Sequence, residues 1–246
     1  MKNLHDQTAV LVFGRTPEKE SRAKFCNDTT ALKGTQLARH LLNHTLEVAH
    51  QSEYKVLVYN SHRQTGLNFA DRLANAIEDA FLQSYDQLIV IGSDCPGISA
   101  TMINEAGKQM TGTRVILSPA MDGGVNMIAI HKNSYKRSTF IQLDWEKKTL
   151  QASWKQYITN MDLEVHWLAS MADVDSIKDL IYLVKSGTIS GNLLVLLRFV
   201  LYSKAIQHIW TYLPSSQVSL HHNGLRAPPA ICNYIRPAKG NQVNAL

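Results

Sequence analysis

With 246 residues and 45% hydrophobic content, the chain can bury a large core, as one big domain or a domain with an appendage. Its three cysteines, Cys26, Cys95 and Cys232, are far apart and form no CxxC pair, which argues against a disulfide framework or a zinc site and for a reduced, cytoplasmic protein. The net charge is +5, but after Asp179 there is no Asp or Glu, only Lys185, Arg198, Lys204, Arg226, Arg236 and Lys239. Removing those six from the 25 Lys and Arg leaves 19 cations against 20 acids, so the part up to Asp179 stands at −1.

Ala9 to Phe13 is a continuous apolar run, the mark of a strand covered on both faces. A polar loop then carries Arg15, Arg22 and Lys24 straight off its tip. Apolar residues at helical spacing predict a helix from about Ala31 to His50. Tyr54 to Tyr59 reads as the second strand, and Phe69 to Phe81 as a helix with Leu73, Ala76, Ile77 and Ala80 on one face. Gln87 to Ile91 is the third strand, and Ser99 is placed to cap a helix running to Met110. Further strands are predicted at Arg114 to Leu117, Val125 to Ile130 and Glu164 to Leu168. Helices are predicted at Thr149 to Asn160 and, behind a capping box at Ser176 and Asp179, through Val184. Strands and helices alternate without hairpin signals. That predicts an α/β fold of three layers, α/β/α, with a mostly parallel central sheet.

Beyond residue 187 the sequence changes character. Asn192 to Tyr202 is strongly apolar but too short, and broken by Arg198, for a membrane span; a docked or oligomer-forming helix fits better. From Pro214 onward an extended tail is expected, so residues 1–187 form the predicted domain and 188–246 a helical or extended basic appendage. The tail lacks a dense Lys/Arg cluster, so no specific nucleic-acid binding is expected. A solvated extension is the plain reading, with peripheral contact to a membrane or an acidic partner as the alternative. Trp210 and Tyr212 fit packing or an interface belt, and His221-His222 a surface pair.

The chemistry gathers between Gln87 and His131. One apolar strand ends in Gly92-Ser93-Asp94, and another delivers Asp122 ahead of Gly123 and Gly124. Ligands bind at the C-terminal edge of strands in open α/β sheets. Two carboxylates there suggest Mg²⁺ or Mn²⁺ holding a phosphorylated ligand, with Asp94 as the metal ligand. The structural alternatives are that Asp94 caps the following helix and that Asp122-Gly123 is simply a turn. Arg15 and Lys24 beside a strand tip can grip a diphosphate, or pair with Glu18 and Glu20. Asp173-Val174-Asp175 looks like a metal motif, yet acids before a helix are also stabilised by its dipole; a mostly structural role, with Asp175 as an orienter, is expected. Cys95 has no identifiable histidine partner and reads as a small buried residue.

Taken together these residues resemble the bacterial DUF2064 family, which has the glycosyltransferase A (nucleotide-diphospho-sugar transferase) fold. The resemblance rests on Phe13-Gly14-Arg15-Thr16-Pro17 with Lys24, Gln64-Thr65-Gly66 with Arg72-Leu73, Gly92-Ser93-Asp94-Cys95-Pro96, Pro119 to Gly124, Trp145, and Asp173 to Leu180. It implies a metal-dependent transfer of a sugar from a nucleotide-diphosphate donor. It also implies Asp122 as catalytic carboxylate and general base, or as a second metal contact, Asp94 on the cation, and Arg15, Lys24, Gln64, Arg72, Ser93, Gly123 and Gly124 around a nucleotide or nucleotide-sugar ligand. A nucleotidyltransferase and a silent nucleotide-binding or interaction module, with homo-oligomer formation open, are the alternatives. The chain departs from the family pattern at Lys24-Phe25-Cys26-Asn27, at Arg15-Thr16, and at Val125-Asn126 after the glycines.

Overall fold

The computed structural model describes residues 7–202. The strands are β1 (Thr8–Phe13), β2 (Lys55–Tyr59), β3 (Gln87–Ile91), β4 (Arg114–Pro119), β5 (Val125–His131) and β6 (Glu164–Trp167). The helices are α1 (Pro17–Lys24), α2 (Ala31–His50), α3 (Phe69–Leu82), α4 (Ala100–Gln109), the short α5 (Arg137–Phe140), α6 (Leu150–Asn160), α7 (Ile177–Ser186) and α8 (Gly191–Tyr202). The six strands form one sheet in the order β2-β1-β3-β5-β4-β6. β1 lies parallel to β2 and β3, and β4 parallel to β6, while β5 runs antiparallel to both β3 and β4.

The layers follow from burial. Every residue of β1 and β3 is buried, because helices cover both faces of the sheet centre. On one face α3, α5 and α6 supply Leu73, Ile77, Phe140 and Trp154 against Leu11, Leu88 and Leu117. On the other, Val48 and Ala49 of α2 and Ile103 and Ala106 of α4 meet Val10, Ile89 and Ile116. A third cluster joins α1, α2, α7 and α8 through Phe25, Leu37, Leu41, Leu180 and Leu197. The sequence of Asn192 to Tyr202 therefore forms a helix docked on the body, with Leu193, Leu197 and Val200 turned inward.

Side-chain caps set the helix starts. The side chains of Thr30, Asn68, Ser99 and Ser176 accept from the backbone N–H of Lys33, Asp71, Met102 and Asp179, each interaction worth about 1 kcal/mol. Two expectations change. The polar loop after β1 is helical from Pro17 to Lys24: Pro17 sits in the first turn, with acids early and Arg22 and Lys24 late, an order that suits the helix dipole. The pair β4 and β5 is a hairpin, turned by Asp122-Gly123-Gly124.

No helix of the described residues is long and apolar enough to cross a membrane. The expected extended tail from Pro214, with Trp210, Tyr212, His221-His222 and Cys232, lies outside the described residues, as does the start at Met1 to Asp6.

The crossing of α1 over α2 depends on Gly34. A Cβ there would lie 2.3 Å from Ser21 Oγ and 3.2 Å from Phe25 Cβ. Gly34→Val is expected to force the helices apart and cost about 1–3 kcal/mol, read as a fall in melting temperature of about 3–10 °C.

Candidate functional site

The parallel strands all point their C-terminal ends to one edge. The chain leaves β1 for β2 on one side and returns to β3 on the other, so a crevice opens between the β1 and β3 tips. A cavity of about 170 Å³ occupies it. Phe13, Gly14 and Arg15 line it from β1, Gly92, Ser93 and Asp94 from β3, Val125 and Asn126 from β5, and Phe69 and Arg72 from the first turn of α3. Trp145 closes one wall. Its ring lies 5.6 Å from that of Phe69 and 4.9 Å from that of Phe140, and its Nε1 donates to the Phe140 carbonyl at 2.9 Å.

The polar groups in this cavity are unequally occupied. Gln64 is tied down: its side-chain amide donates to the carbonyls of Gly14 (2.7 Å) and Tyr59 (2.8 Å), fixing the β1 and β2 tips. Arg15 pairs with Glu20 at 3.2 Å and Glu146 at 3.7 Å. Arg72 is half-buried, and its guanidinium has no hydrogen bond or ion pair among the described residues. A half-buried cation without a carboxylate leaves five donors for an anionic ligand.

Beside the cavity lies an acidic hollow containing Asp122, Asp173, Asp175 and Asp179. One carboxylate oxygen from each of Asp122, Asp173 and Asp175 lies within 4.8 Å of the others. The positions follow from local structure. Asp122 sits in the β4–β5 turn, where its Oδ1 accepts from Gly124 N–H at 2.8 Å. Gly123 has φ +102°, and a Cβ there would meet the Lys148 carbonyl at 2.2 Å, so the turn is pressed against the segment before α6. Gln151 clasps it further, donating to the carbonyls of Ala120 and Gly124. Asp122 thus makes the turn and also faces two other carboxylates. Asp173 and Asp175 come from the strap that leads into α7. Asp175 N–H donates to Asp179 Oδ2, while Ser176 and Asp179 form the expected capping box.

Lys24 joins the two hollows. Its ammonium donates to Asp94 Oδ2 at 2.6 Å and to the Val174 carbonyl at 2.8 Å, and pairs with Asp175 at 2.9 Å and Glu20 at 3.3 Å. Burial pulls its pKa down, but the carboxylates of Asp94, Glu20 and Asp175 outweigh that and hold it well above the ordinary lysine value. Asp94 is bound here rather than capping α4, since Ser99 fills the cap. Val174 N–H also donates to the Asp94 carbonyl at 2.8 Å, so the strap is pinned to the β3 tip. Asp173 bears the remaining repulsion. Burial, then Asp175, Asp122 and Asp94, push its carboxyl up to about 6. Burial likewise pushes the Cys95 thiol up to about 12, which suits an inert packing residue.

The structure thus brings Arg15, Gln64, Arg72, Ser93 and Asp94 together in the cavity, with Lys24 adjoining through Asp94. Asp122, Gly123 and Gly124 form the turn at the acidic hollow instead. Sequence reasoning gave Asp173 a structural role and missed its place in the carboxylate trio. The only early signal was the Asp-x-Asp spacing.

The family described as "uncharacterized protein conserved in bacteria (DUF2064)" matches residues 30–147. Over those residues the chain is similar to DUF2064. No curated protein matches the sequence. Among solved structures, a protein of Desulfovibrio desulfuricans G20, provisionally named a nucleotide-diphospho-sugar transferase, is 22% identical. It covers 84% of this chain and 98% of its own, at a TM-score of 0.71, which shows that fold. Two further structures are more distant. Rv0371c of Mycobacterium tuberculosis H37Rv, in complex with manganese, is 16% identical over 73% of this chain and 99% of its own, at a TM-score of 0.41. A cytidylyltransferase of Leptospira borgpetersenii is 14% identical over 88% and 99%, at 0.44. At those scores neither says anything about the chemistry of this chain.

The raised Asp173 carboxyl has a measurable consequence. The folded state binds this proton more tightly than the unfolded chain, so stability falls as pH rises from the ordinary carboxylate value through about 6. Asp173→Asn is therefore expected to raise the melting temperature at pH 7.5 by about 2–6 °C, corresponding to roughly 1–2 kcal/mol after solvent screening. The gain should vanish near pH 4. A pH-independent difference would show that the carboxylate cluster is not the cause.

Proposed function

We propose that this chain is a metal-dependent transferase that takes a sugar from a nucleoside-diphosphate donor. The observation that carries the reading is the Arg72 guanidinium in the β1–β3 crevice, unpartnered among the described residues, beside Ser93 and a cluster of carboxylates in excess of the cations. An anion with a planar, forked acceptor fits Arg72. The neighbouring rings of Phe69 and Trp145 supply an apolar wall that suits a base or sugar face.

A divalent cation fits the donor set. Asp122, Asp173 and Asp175 offer hard oxygen ligands from three carboxylates, and Asp173 is raised first by burial and then by the neighbouring charges of Asp175, Asp122 and Asp94. Those three would hold Mg²⁺ or Mn²⁺, with Asp94 at the edge of the group under the hold of Lys24. When bound, the cation would neutralise charge building on diphosphate oxygens. The geometry favours this use of Asp122 over proton transfer. Arg72 would orient the diphosphate, and the Trp145 wall would keep water from one side of the crevice. Lys24 would hold the strap, and so Asp173 and Asp175, in register with the β3 tip.

Nucleotidyl transfer is the less favoured chemistry, because Gly14 is followed almost at once by α1, leaving no glycine-rich loop to wrap a triphosphate. A second reading, a silent nucleotide-binding module, is favoured by Lys24 itself, an internal cation already seated on Asp94 and Asp175.

Thermal shifts separate these readings. With UDP-, GDP- and dTDP-sugars, each with and without Mn²⁺, one donor is expected to raise the melting temperature by about 5 °C only when Mn²⁺ is present. Arg72→Ala should abolish the rise without lowering the melting temperature of the free protein. Incubation of the protein with that donor and Mn²⁺ should release nucleoside diphosphate, the sugar passing slowly to water in place of its acceptor. Release of pyrophosphate from a nucleoside triphosphate would favour nucleotidyl transfer, and binding without release the silent module.

A further inference from the structure

β5 is irregular where it meets the crevice. β4 pairs Ser118 with Met127 and Pro119 with Val125, so Asn126 is an extra residue, a β-bulge. A bulge re-aims a side chain, and bulges gather beside functional sites. Asn126 is only 8% exposed and lines the β1–β3 crevice. Its Nδ2 donates to the Met171 carbonyl at 3.0 Å. A carbonyl can only accept, so the amide has one orientation, nitrogen toward the strap and oxygen away from it. That oxygen, Oδ1, has no partner among the described residues. Nor is it sealed in: among those residues Trp154 Nε1 is the one fully buried side-chain nitrogen or oxygen without a partner. Oδ1 is therefore open to the cavity that Asn126 lines. The Ser93 hydroxyl, in a residue 9% exposed on the same cavity, also lacks a partner among the described residues. Buried polar groups are as a rule matched, and an unmatched pair in one cavity marks where a ligand supplies the partners.

We infer that Asn126 is a specificity-determining residue: its Oδ1 accepts a hydrogen bond from an N–H or O–H group of the crevice ligand, with the Ser93 hydroxyl as a second contact. The inference rests on the reading of the crevice as a nucleotide site and adds which part of the ligand is read there. An ionised diphosphate carries acceptors only, so it cannot satisfy Oδ1. Arg72 takes the anion, and Asn126 takes a donor on the base or on the sugar. An analogue without that donor would leave Oδ1 buried and unmatched, which is how a site rejects a ligand of the same shape. The strap does not depend on the Asn126 amide. The Met171 carbonyl also accepts from Met121 N–H, Met171 N–H donates to the Pro119 carbonyl, and Val174 N–H to that of Asp94.

The test is calorimetric titration of UDP, GDP and dTDP, and of the same three carrying glucose, into the full chain and into Asn126→Ala, with Mn²⁺ present. The ligand that binds the unaltered protein is expected to bind Asn126→Ala about tenfold or more weakly, while the Kd for Mn²⁺ alone stays within about twofold. Asn126→Ser serves as the second variant if Asn126→Ala loses its fold. An equal loss for diphosphate and sugar nucleotide places the donor on the nucleoside; a loss confined to the sugar nucleotide places it on a sugar hydroxyl. Removing that donor from the ligand, by N-methylation of the base or by a deoxy sugar, should weaken binding to the unaltered protein by a similar factor and binding to Asn126→Ala by less than about twofold. Asn126→Ala that binds as the unaltered protein does would overturn the inference. So would losses that multiply with every analogue and come with an equal loss of Mn²⁺ affinity, which would leave Asn126 a support of the strap alone. Both results leave the sugar-transfer reading standing. No binding of any of the six probes to the unaltered protein would overturn the two together.

Discussion

A single ammonium group holds the sheet edge together. Lys24 Nζ reaches from the last turn of α1 to Asp94 at the β3 tip and to Val174 and Asp175 in the strap before α7. These segments are 70 and 150 residues away in sequence. Its side chain is only 11% exposed, so its removal would leave carboxylates facing one another in a poorly solvated place, where an unpaired charge is far more costly than a surface ion pair is favourable. Gly34 lets α1 lie close over α2, and Lys24 extends from the last turn of α1.

Lys24 does not balance the site. One ammonium serves Asp94, Asp175 and Glu20, while Asp122 and Asp173 add further negative charge nearby. Arg72 faces the adjoining crevice with no acid of its own among the described residues. A surplus of carboxylates on one side and an unclaimed guanidinium on the other form a dipolar floor, into which a cation and an anionic group can fit together. Mutual support is the physical content of the proposed transferase: each charge lowers the cost of bringing in the other.

Much of the layering was legible because it is local or periodic. The unbroken runs in β1 and β3 announced strands buried on both faces, and Ser99 and Ser176 marked their helices. The polar stretch from Pro17 hid α1, since its apolar side is small and its fit depends on glycine-enabled packing rather than on a hydrophobic stripe. The direction of β5 was hidden for a related reason. Asp122-Gly123-Gly124 is a good turn signal, but a sheet with parallel neighbours made a hairpin the less obvious partner. In the candidate site, the placement of Asp94 and Asp122 at the sheet edge was legible from strand-tip position alone. That Asp173 would stand beside Asp122 was not, because the isolated bridge Ala120–Met171 and the Asn126 amide bonded to the Met171 carbonyl are tertiary contacts without a sequence signature. Gln64 illustrates the reverse: a residue chosen for ligand binding whose amide is spent on two backbone carbonyls.

The most direct measurement is a calorimetric titration of Mn²⁺ into the protein at pH 7.5, with and without a saturating nucleoside diphosphate. If the carboxylate surplus and Arg72 act together, Mn²⁺ binds at one site, the diphosphate tightens it by about tenfold or more, and by linkage Mn²⁺ tightens the diphosphate equally. Mn²⁺ binding that is absent, or that is indifferent to both the diphosphate and the Asp173→Asn substitution, would contradict the reading of this sheet edge as a paired cation and phosphate site.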